Sequence, residues 1–314
     1  MPKRFPTVLL LLGLLIGFAA AQEPKTRAES IPKDAVKATP ADDPTPPILH
    51  SGEWEKPVPM EAPISTAGAE DSPFILPDGN TLYFFFTPDV RVPAEKQLFD
   101  GVTGVWVSRK VEGKWVEPER VILQDKGQLS LDGCVCVQGD TMWFGSARQG
   151  NSRGVDLWTA EWKEGNWAGW KNAGKTLNVD YEAGEMHLSA DGKEMWFHSE
   201  RAGGKGGLDI WVTRLVGGKW SAPENVAAVN SADAEGWPFV SQDGSELWFL
   251  RWYRGTPAIF RSKKSGGGWA QPELIVEQFA GEPTLDTKGN LIFVHHYFRD
   301  GKMIEADLYI ARRK

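Results

Sequence analysis

Three acidic side chains recur at one position of a repeated sequence pattern. Aligning the copies on their shared turn places Asp132, Glu185 and Glu282 in register, with Ser72 and Trp237 at the same position of the other two copies. Two carboxylates that flank a glycosidic bond can hydrolyse it, one as general acid and the other as base or nucleophile. The three acids therefore raise glycoside hydrolysis as one function, with Trp237 stacking on a sugar ring.

The same acids allow two other interpretations. They could form a ligand or metal site, or they could hold blades together by accepting hydrogen bonds from the backbone N–H groups of neighbouring blades. Further ligand-binding candidates lie after the aromatic strand of each copy: Arg148, Arg201, Arg251, Trp252 and His295. The arginines could instead pair with carboxylates of the fold. A zinc site at His295 and the adjacent His296 would need a third ligand, so no metal or other cofactor is predicted.

The pattern that positions these residues occurs five times. Each copy has a Gly-containing turn and then an aromatic run that ends on a phenylalanine: Phe84, Phe144, Phe197, Phe249 and Phe293. A second aromatic strand follows, and then in most copies a Gly-x-Trp turn. Successive phenylalanines are 60, 53, 52 and 44 residues apart, close to the roughly 40–50 residues of a propeller blade. The pattern predicts an all-β fold, a β-propeller with four-stranded blades.

The two ends of the chain favour a closed ring of five blades. The last copy stops at Lys314 after its third strand, and the missing Gly-x-Trp motif lies before the first copy, at Trp54. We therefore expect the N-terminal segment to supply the outer strand of the last blade, which protects sheet edges. The predicted blades span 65–125, 126–178, 179–230, 231–279, and 280–314 together with 49–64.

The first 48 residues indicate a targeting signal and a linker. Residues 1–21 combine two basic residues, an apolar run and three alanines, so we expect a secretory signal peptide that is cut after Ala21. Residues 22–48 contain six prolines among charged residues and are predicted to be a disordered linker. Residues 49–314 then form one domain. No transmembrane segment is expected after signal cleavage.

Composition limits the partners. The net charge of −7 argues against nucleic acid, which is bound by basic surfaces, and is compatible with a neutral or cationic ligand. The two cysteines, Cys134 and Cys136, lie on one face of a predicted strand, too far apart to bridge, and are expected to be small core residues beside the channel. Most of the fifteen tryptophans lie at repeat positions, which predicts packing between blades.

The third copy resembles a known repeat. Its sequence SADGKEMWFHSER (residues 189–201) followed by GGLDIWV (residues 206–212) is similar to the WD40-like PD40 repeat of TolB-type propellers in bacterial envelopes. The resemblance covers residues 50–314. It implies a protein that binds other envelope components without catalysis. TolB itself is similar to a six-bladed propeller with an extra domain, so its partners are not carried over.

These patterns predict a secreted or periplasmic propeller that acts as a non-catalytic binding or interaction module. The alternative is a carbohydrate-active hydrolase that uses Asp132, Glu185 and Glu282 at the mouth of the central channel. We expect a monomer whose partner is an envelope protein or a glycan. A protein partner is expected first at the long loop 87–102 and then at Trp252. The G-x-S-x-G match at 150–154 is set aside, because that motif needs a strand-to-helix elbow.

Overall fold

The computed structural model describes residues 26–314, and the predicted signal peptide at 1–21 lies outside the described residues. The described chain is built from strands, with two one-turn α-helices and one π-helical turn. Within 26–314, no helix is long and apolar enough to cross a membrane. Five successive units follow an N-terminal segment.

The N-terminal segment and the first two units contain the following elements: α1 (Arg27–Ser30), β1 (Ile48–Leu49) and β2 (Val58–Pro59); β3 (Ala69–Ile75), β4 (Thr81–Thr87), α2 (Ala94–Gln97), β5 (Gly104–Val111), β6 (Lys114–Trp115) and β7 (Glu119–Arg120); β8 (Ser130–Gln138), β9 (Thr141–Arg148), β10 (Asp156–Lys163), β11 (Asn166–Asn172) and the π-helical turn (Thr176–Asp180). The other three units contain these strands: β12 (Met186–Leu188), β13 (Glu194–Ser199), β14 (Asp209–Val216), β15 (Lys219–Trp220) and β16 (Glu224–Asn225); β17 (Glu235–Val240), β18 (Glu246–Tyr253), β19 (Thr256–Ser265), β20 (Gly268–Trp269) and β21 (Glu273–Glu277); β22 (Ala280–Leu285), β23 (Leu291–Arg299) and β24 (Lys302–Ala311).

Within each unit the first three strands pair antiparallel in chain order. The phenylalanines that close the aromatic runs lie in the second strands and are all fully buried. The fifth and first units share one sheet through a single parallel pair between Ala306 and Ala69. Each second strand therefore forms the hydrophobic middle of its unit.

The tryptophans of the Gly-x-Trp turns join successive units. Four of the five, all but Trp115, pack edge to face on an aromatic residue in the second strand of the preceding unit, a favourable geometry for aromatic pairs. The pairs and their ring separations are Trp167 and Tyr83 (6.5 Å), Trp220 and Trp143 (6.2 Å), Trp269 and Trp196 (5.4 Å), and Trp54 and Trp248 (5.5 Å). Because Trp54 precedes the first unit, the last pair attaches the N-terminal segment to the fourth unit.

The N-terminal segment adds strands to two units. β2 pairs antiparallel with β24, opposite Ile310 and Tyr309, which is the position predicted for the outer strand of the last unit. Trp54 extends this pairing by a bridge to Arg313. In addition, β1 pairs with β21 at the outer edge of the fourth unit, which the sequence did not predict.

Residues 26–48 correct the prediction of a disordered linker, because charged side chains anchor them to the units. Arg27 is 1% exposed; it donates to the carbonyl oxygen of Ile64 (3.0 Å) and pairs with buried Glu70 (3.2 Å). Composition alone suggested a solvated segment, but Glu70 supplies the opposite charge in the interior. We call residues 26–59 the belt.

Two further belt contacts reach the fifth unit. The ammonium of Lys37 pairs with Glu305 and lies 2.5 Å from Asp307 Oδ2. Asp43 Oδ2 lies 2.8 Å from His295 Nε2, and both side chains are fully buried. The belt therefore contacts the first, fourth and fifth units, on both sides of the junction where the chain's two ends meet.

Candidate functional site

A β-bulge in the first strand of four units re-aims one side chain. The bulged residues are Ser72, Cys134, Trp237 and Glu282, with φ angles of 45°, 54°, 51° and 54°. Positive φ is uncommon outside glycine, and a bulge is a known way to redirect a side chain. The third unit has Glu185 at the equivalent place, directly before β12.

These five residues, one from each unit, line a single central cavity. Its volume is about 50 Å³, enough for one or two water molecules and far below the roughly 300–1,000 Å³ of small-molecule sites. The structure thus brings Glu185, Trp237 and Glu282 together. Within this cavity there is no room for a sugar ring.

Asp132 lies outside the central cavity, contrary to the predicted acidic ring, and Cys134 occupies its place. The turn after β8 contains only residues 139–140, whereas the turn after β3 contains residues 77–80. When the copies are aligned on the turn, counting back the same number of residues in the second copy therefore reaches Asp132, two residues before Cys134, the true equivalent of Ser72. The bulge also separates the two cysteines: Cys134 faces the cavity and Cys136 lies in the core, so they do not share a face.

Asp132 is instead part of a buried ion pair within the second unit. It accepts hydrogen bonds from the hydroxyl groups of Ser130 (2.7 Å) and Ser146 (2.6 Å), and its Oδ1 lies 2.5 Å from Arg148 Nη2. The Arg148 guanidinium also lies 4.6 Å from the Trp158 ring centre. These contacts use both carboxylate oxygens, so Asp132 holds strands together.

The other arginine candidates also serve the fold. Arg251 pairs with buried Glu235 (2.7 Å) and lies over the Phe260 ring, as Arg148 does with its partners. Arg201 lies 5.0 Å from the Trp211 ring centre. In the first unit the equivalent guanidinium comes from the belt: Arg27 pairs with buried Glu70 and lies near the rings of Phe84 and Trp106. None of these guanidinium groups lines the central cavity.

The last two candidates lie apart from the cavity lining. His295 is buried against Asp43, and burial lowers its pKa despite that carboxylate. Trp252 lies on the hairpin between β18 and β19 and is 50% exposed. Neither joins Glu185 and Glu282.

Asp71 is an acid of the site that the sequence interpretation missed. It directly precedes Ser72, and its Oδ2 lies 3.4 Å from His296 Nε2. Burial opposes its ionisation, but the His296 contact outweighs burial and lowers the Asp71 pKa. The signal that could have found Asp71 was its position next to Ser72, which is in register with Glu185 and Glu282.

The pKa values of the two central glutamates, Glu185 and Glu282, are raised, which favours their protonated forms. Burial, with the charge of Asp71, raises the pKa of Glu185 to about 7. Burial and the charges of Asp71 and Glu185 raise the pKa of Glu282 well above its usual range. Glu282 Oε2 is buried without a hydrogen-bond partner among the described residues. Burial likewise raises the pKa of the Cys134 thiol.

A larger cleft of about 460 Å³ lies beside the cavity, between the second and third units. Its lining residues come from β8, β9, the loop before β10, the start of β10, the segment that leads into β12, and β13: Cys134, Gly145, Arg153, Val155, Asp156, Leu157, Ala183, Gly184, Glu185 and His198. Cys134 and Glu185 line both spaces. Arg153 was passed over because it lies in the 150–154 match, and a lone basic residue in a short loop was its only signal.

A metal centre finds no support in the described part of the chain. Across residues 26–314, no three His, Cys, Asp or Glu side chains are arranged to hold a metal ion. The central cluster consists of the carboxyls of Glu185 and Glu282 and the thiol of Cys134.

Comparisons with known proteins show the fold. No family model and no curated protein matches the sequence. The endo-arabinase from Bacteroides thetaiotaomicron VPI-5482 is 16% identical with a TM-score of 0.51; the match covers 80% of this chain and 96% of that chain. The xylan beta-1,4-xylosidase from Bacillus halodurans C-125 is 15% identical with a TM-score of 0.51, and the match covers 80% and 54%.

TolB from Acinetobacter baumannii is 14% identical with a TM-score of 0.49, and the match covers 80% of this chain and 56% of that chain. The chain therefore spans little more than half the length of that TolB and of the xylosidase. At these identities the likeness to the arabinase and the xylosidase bears on the architecture alone. The all-β chain has a β-propeller fold.

Proposed function

We propose that this protein is a five-bladed β-propeller of PD40-like repeats that acts as a non-catalytic binding module of a bacterial envelope. In this proposal the signal peptide directs it to the periplasm or the exterior, where it works as a monomer. The partner is an envelope component. The belt, which pairs with the last unit through β2, completes the ring.

One observation carries the non-catalytic assignment: the acids that meet at the centre face a space too small for a sugar. Glu185 and Glu282 face a cavity of about 50 Å³, whereas small-molecule sites in proteins occupy roughly 300–1,000 Å³. A glycosidase needs its two carboxyls on either side of a bound sugar. A cavity of this size gives a glycosidic bond no place to lie.

The fate of the third predicted acid supports the same conclusion. Asp132 has a structural role, although it contacts the side chains of Arg148 and two serines of its own unit and not the backbone of a neighbouring blade, as the sequence suggested. A carboxylate used in this way offers neither a general acid nor a nucleophile to a substrate.

Hydrolysis of carbohydrate is the second candidate, because Asp71 gives the centre a third carboxyl beside Glu185 and Glu282. It would require the cavity to widen.

Sugar release distinguishes the two functions. We would incubate the protein lacking residues 1–21 with arabinan, xylan and xyloglucan, beside the variants Glu185→Gln and Glu282→Gln. We expect no reducing sugar from any of the three proteins, and melting temperatures in the variants at least equal to wild type, since each amide removes a buried ionisable group. Sugar release by wild type that either variant abolishes would establish the hydrolase instead.

A further inference from the structure

The cleft between the second and third units has the size of a ligand site and no assigned role. At about 460 Å³ it falls within the roughly 300–1,000 Å³ of small-molecule pockets. Two glycines form part of its wall, Gly145 in β9 and Gly184 before β12. A Cβ on Gly184 would come within 2.3 Å of His198, so the backbone must approach that ring closely.

Most polar groups of the cleft are already satisfied. The carboxylate of Asp156 accepts the backbone N–H groups of Ser152 (2.6 Å) and Arg153 (3.1 Å) and the side-chain amide of Asn172 (2.9 Å). Each ring nitrogen of His198 lies 3.3 Å from a backbone N–H, that of Glu185 or that of Trp237, and the neutral ring accepts a hydrogen bond from one of the two. Burial and the nearby Arg153 lower the His198 pKa to about 4, so the ring is neutral near pH 7.

Arg153 is the exception. One Nη donates to the carbonyl oxygen of Ala183 at 2.8 Å, and within residues 26–314 the guanidinium forms no salt bridge. Its remaining N–H groups are available at the exposed end of the cleft. A guanidinium presents paired donors that match the two oxygens of a carboxylate.

Besides Asp156, His198 and the Glu185 carboxyl, whose pKa burial raises to about 7, the rest of the wall is apolar. Val155 is 55% exposed beside the cleft, and Leu157, Ala183 and Cys134 contribute further apolar surface. A sugar would need polar partners for most of its hydroxyl groups and an aromatic surface to stack on, and His198 is the one ring in the lining. The surface therefore matches an apolar body with one anionic end.

We propose that this cleft binds a small amphipathic carboxylate, whose acid group pairs with Arg153 while its apolar chain lies along Val155, Leu157 and Ala183. The proposal rests on the function as a binding module and names the ligand class of one site. It places the ligand beside the central cavity, with Cys134 and Glu185 as the shared wall.

Isothermal titration with octanoate tests the proposal, with octan-1-ol and octylammonium as probes of the same chain length. We expect octanoate to bind, octan-1-ol to bind at least tenfold more weakly, and octylammonium not to bind. Arg153→Gln should weaken octanoate binding by roughly ten- to hundredfold. Arg254→Gln, at an exposed loop arginine of the fourth unit, is the matched control and should bind as wild type does.

Two variants test the location. In Gly145→Leu the new Cβ would meet Val155 at an ordinary 3.5 Å, and the longer side chain would occupy the cleft. Val155→Asp sets a negative charge on the same wall at an exposed position, which keeps the test valid should Gly145→Leu fail to fold. Both should abolish octanoate binding.

Each contrary outcome is informative. Equal affinities for octanoate and octan-1-ol, or equal behaviour of Arg153→Gln and Arg254→Gln, would refute the carboxylate assignment. Undiminished binding to Val155→Asp would refute the location, and an octanoate dissociation constant above about 1 mM would refute the ligand class. Sugar release is measured separately, so these failures leave the non-catalytic proposal standing, whereas turnover would remove it.

Discussion

The belt should stabilise the fold mainly through Arg27, so Arg27→Met is the sharpest test of how the belt is held to the first unit. Arg27 lies between the carboxylate of Glu70 (3.2 Å) and the rings of Phe84 and Phe86, whose centres are 5.4 and 5.3 Å from its guanidinium carbon. Methionine keeps most of the apolar contact with the rings and removes the charge. The variant therefore removes the ion pair, together with the hydrogen bonds that Arg27 donates to the carbonyl oxygens of Pro63 and Ile64.

The expected loss follows from the burial of Glu70. Removing one partner of a buried ion pair costs about 3–5 kcal/mol, because the other charge stays in the interior. Even beside Arg27, burial raises the Glu70 pKa to about 7. Without the arginine that pKa should rise further, so Glu70 takes up a proton in acid and escapes the penalty. The loss should be full at pH 8 and much smaller at pH 5.

Equilibrium urea unfolding followed by tryptophan fluorescence measures both quantities. Arg91→Met is the matched control, because Arg91 is 57% exposed and pairs with Asp34 of the same belt; it should cost less than about 1 kcal/mol. Glu70→Gln in the Arg27→Met background should restore part of the stability at pH 8. A loss below about 1 kcal/mol in Arg27→Met, or an equal loss at pH 5 and pH 8, would refute the reasoning.

Three further predictions concern stability and reactivity. Because burial raises the folded-state pKa of Glu185 to about 7 from 4.5, its contribution to stability falls as pH rises between these values, so Glu185→Gln should flatten the decline in urea midpoint from pH 5 to pH 8; an unchanged pH profile would contradict this. Trp54→Ala removes a side chain that is 1% exposed and should cost about 3–5 kcal/mol, whereas exposed Trp252→Ala should cost less than about 0.5 kcal/mol by the same urea titration; equal losses would count against the inter-unit pairing. Burial raises the pKa of both thiols, that of Cys136 to about 12, so neither Cys134 nor Cys136 should react with Ellman's reagent before unfolding; prompt native-state labelling of either would show an accessible thiolate.

The architecture was largely predictable from the sequence, because its signals are local. The turns and aromatic runs mark the hairpins, and the closing phenylalanines, such as Phe84 and Phe144, are fully buried. The Gly-x-Trp motif before the first copy also correctly placed an N-terminal strand beside the last unit, at β2. Such patterns depend on side chains within a few residues of one another, so they can be interpreted without knowing any tertiary contact.

The composition of the site required the tertiary structure. A turn shortened by two residues exchanges Asp132 for Cys134 at the central cavity, and only strand register reveals it. Asp71 comes near Glu185 because the two units converge on the same cavity.

The belt shows the same limit over longer distances. Arg27 pairs with Glu70, which lies 43 residues away in the sequence, and Lys37 pairs with Asp307, which lies 270 residues away. A segment rich in proline and charged residues is predicted to be solvated when the partners of those charges are unknown, because burying an unpaired charge is unfavourable. Hairpins and aromatic strands were determined by neighbouring residues, while the belt and the acidic centre were decided when the tertiary fold brought distant charges together.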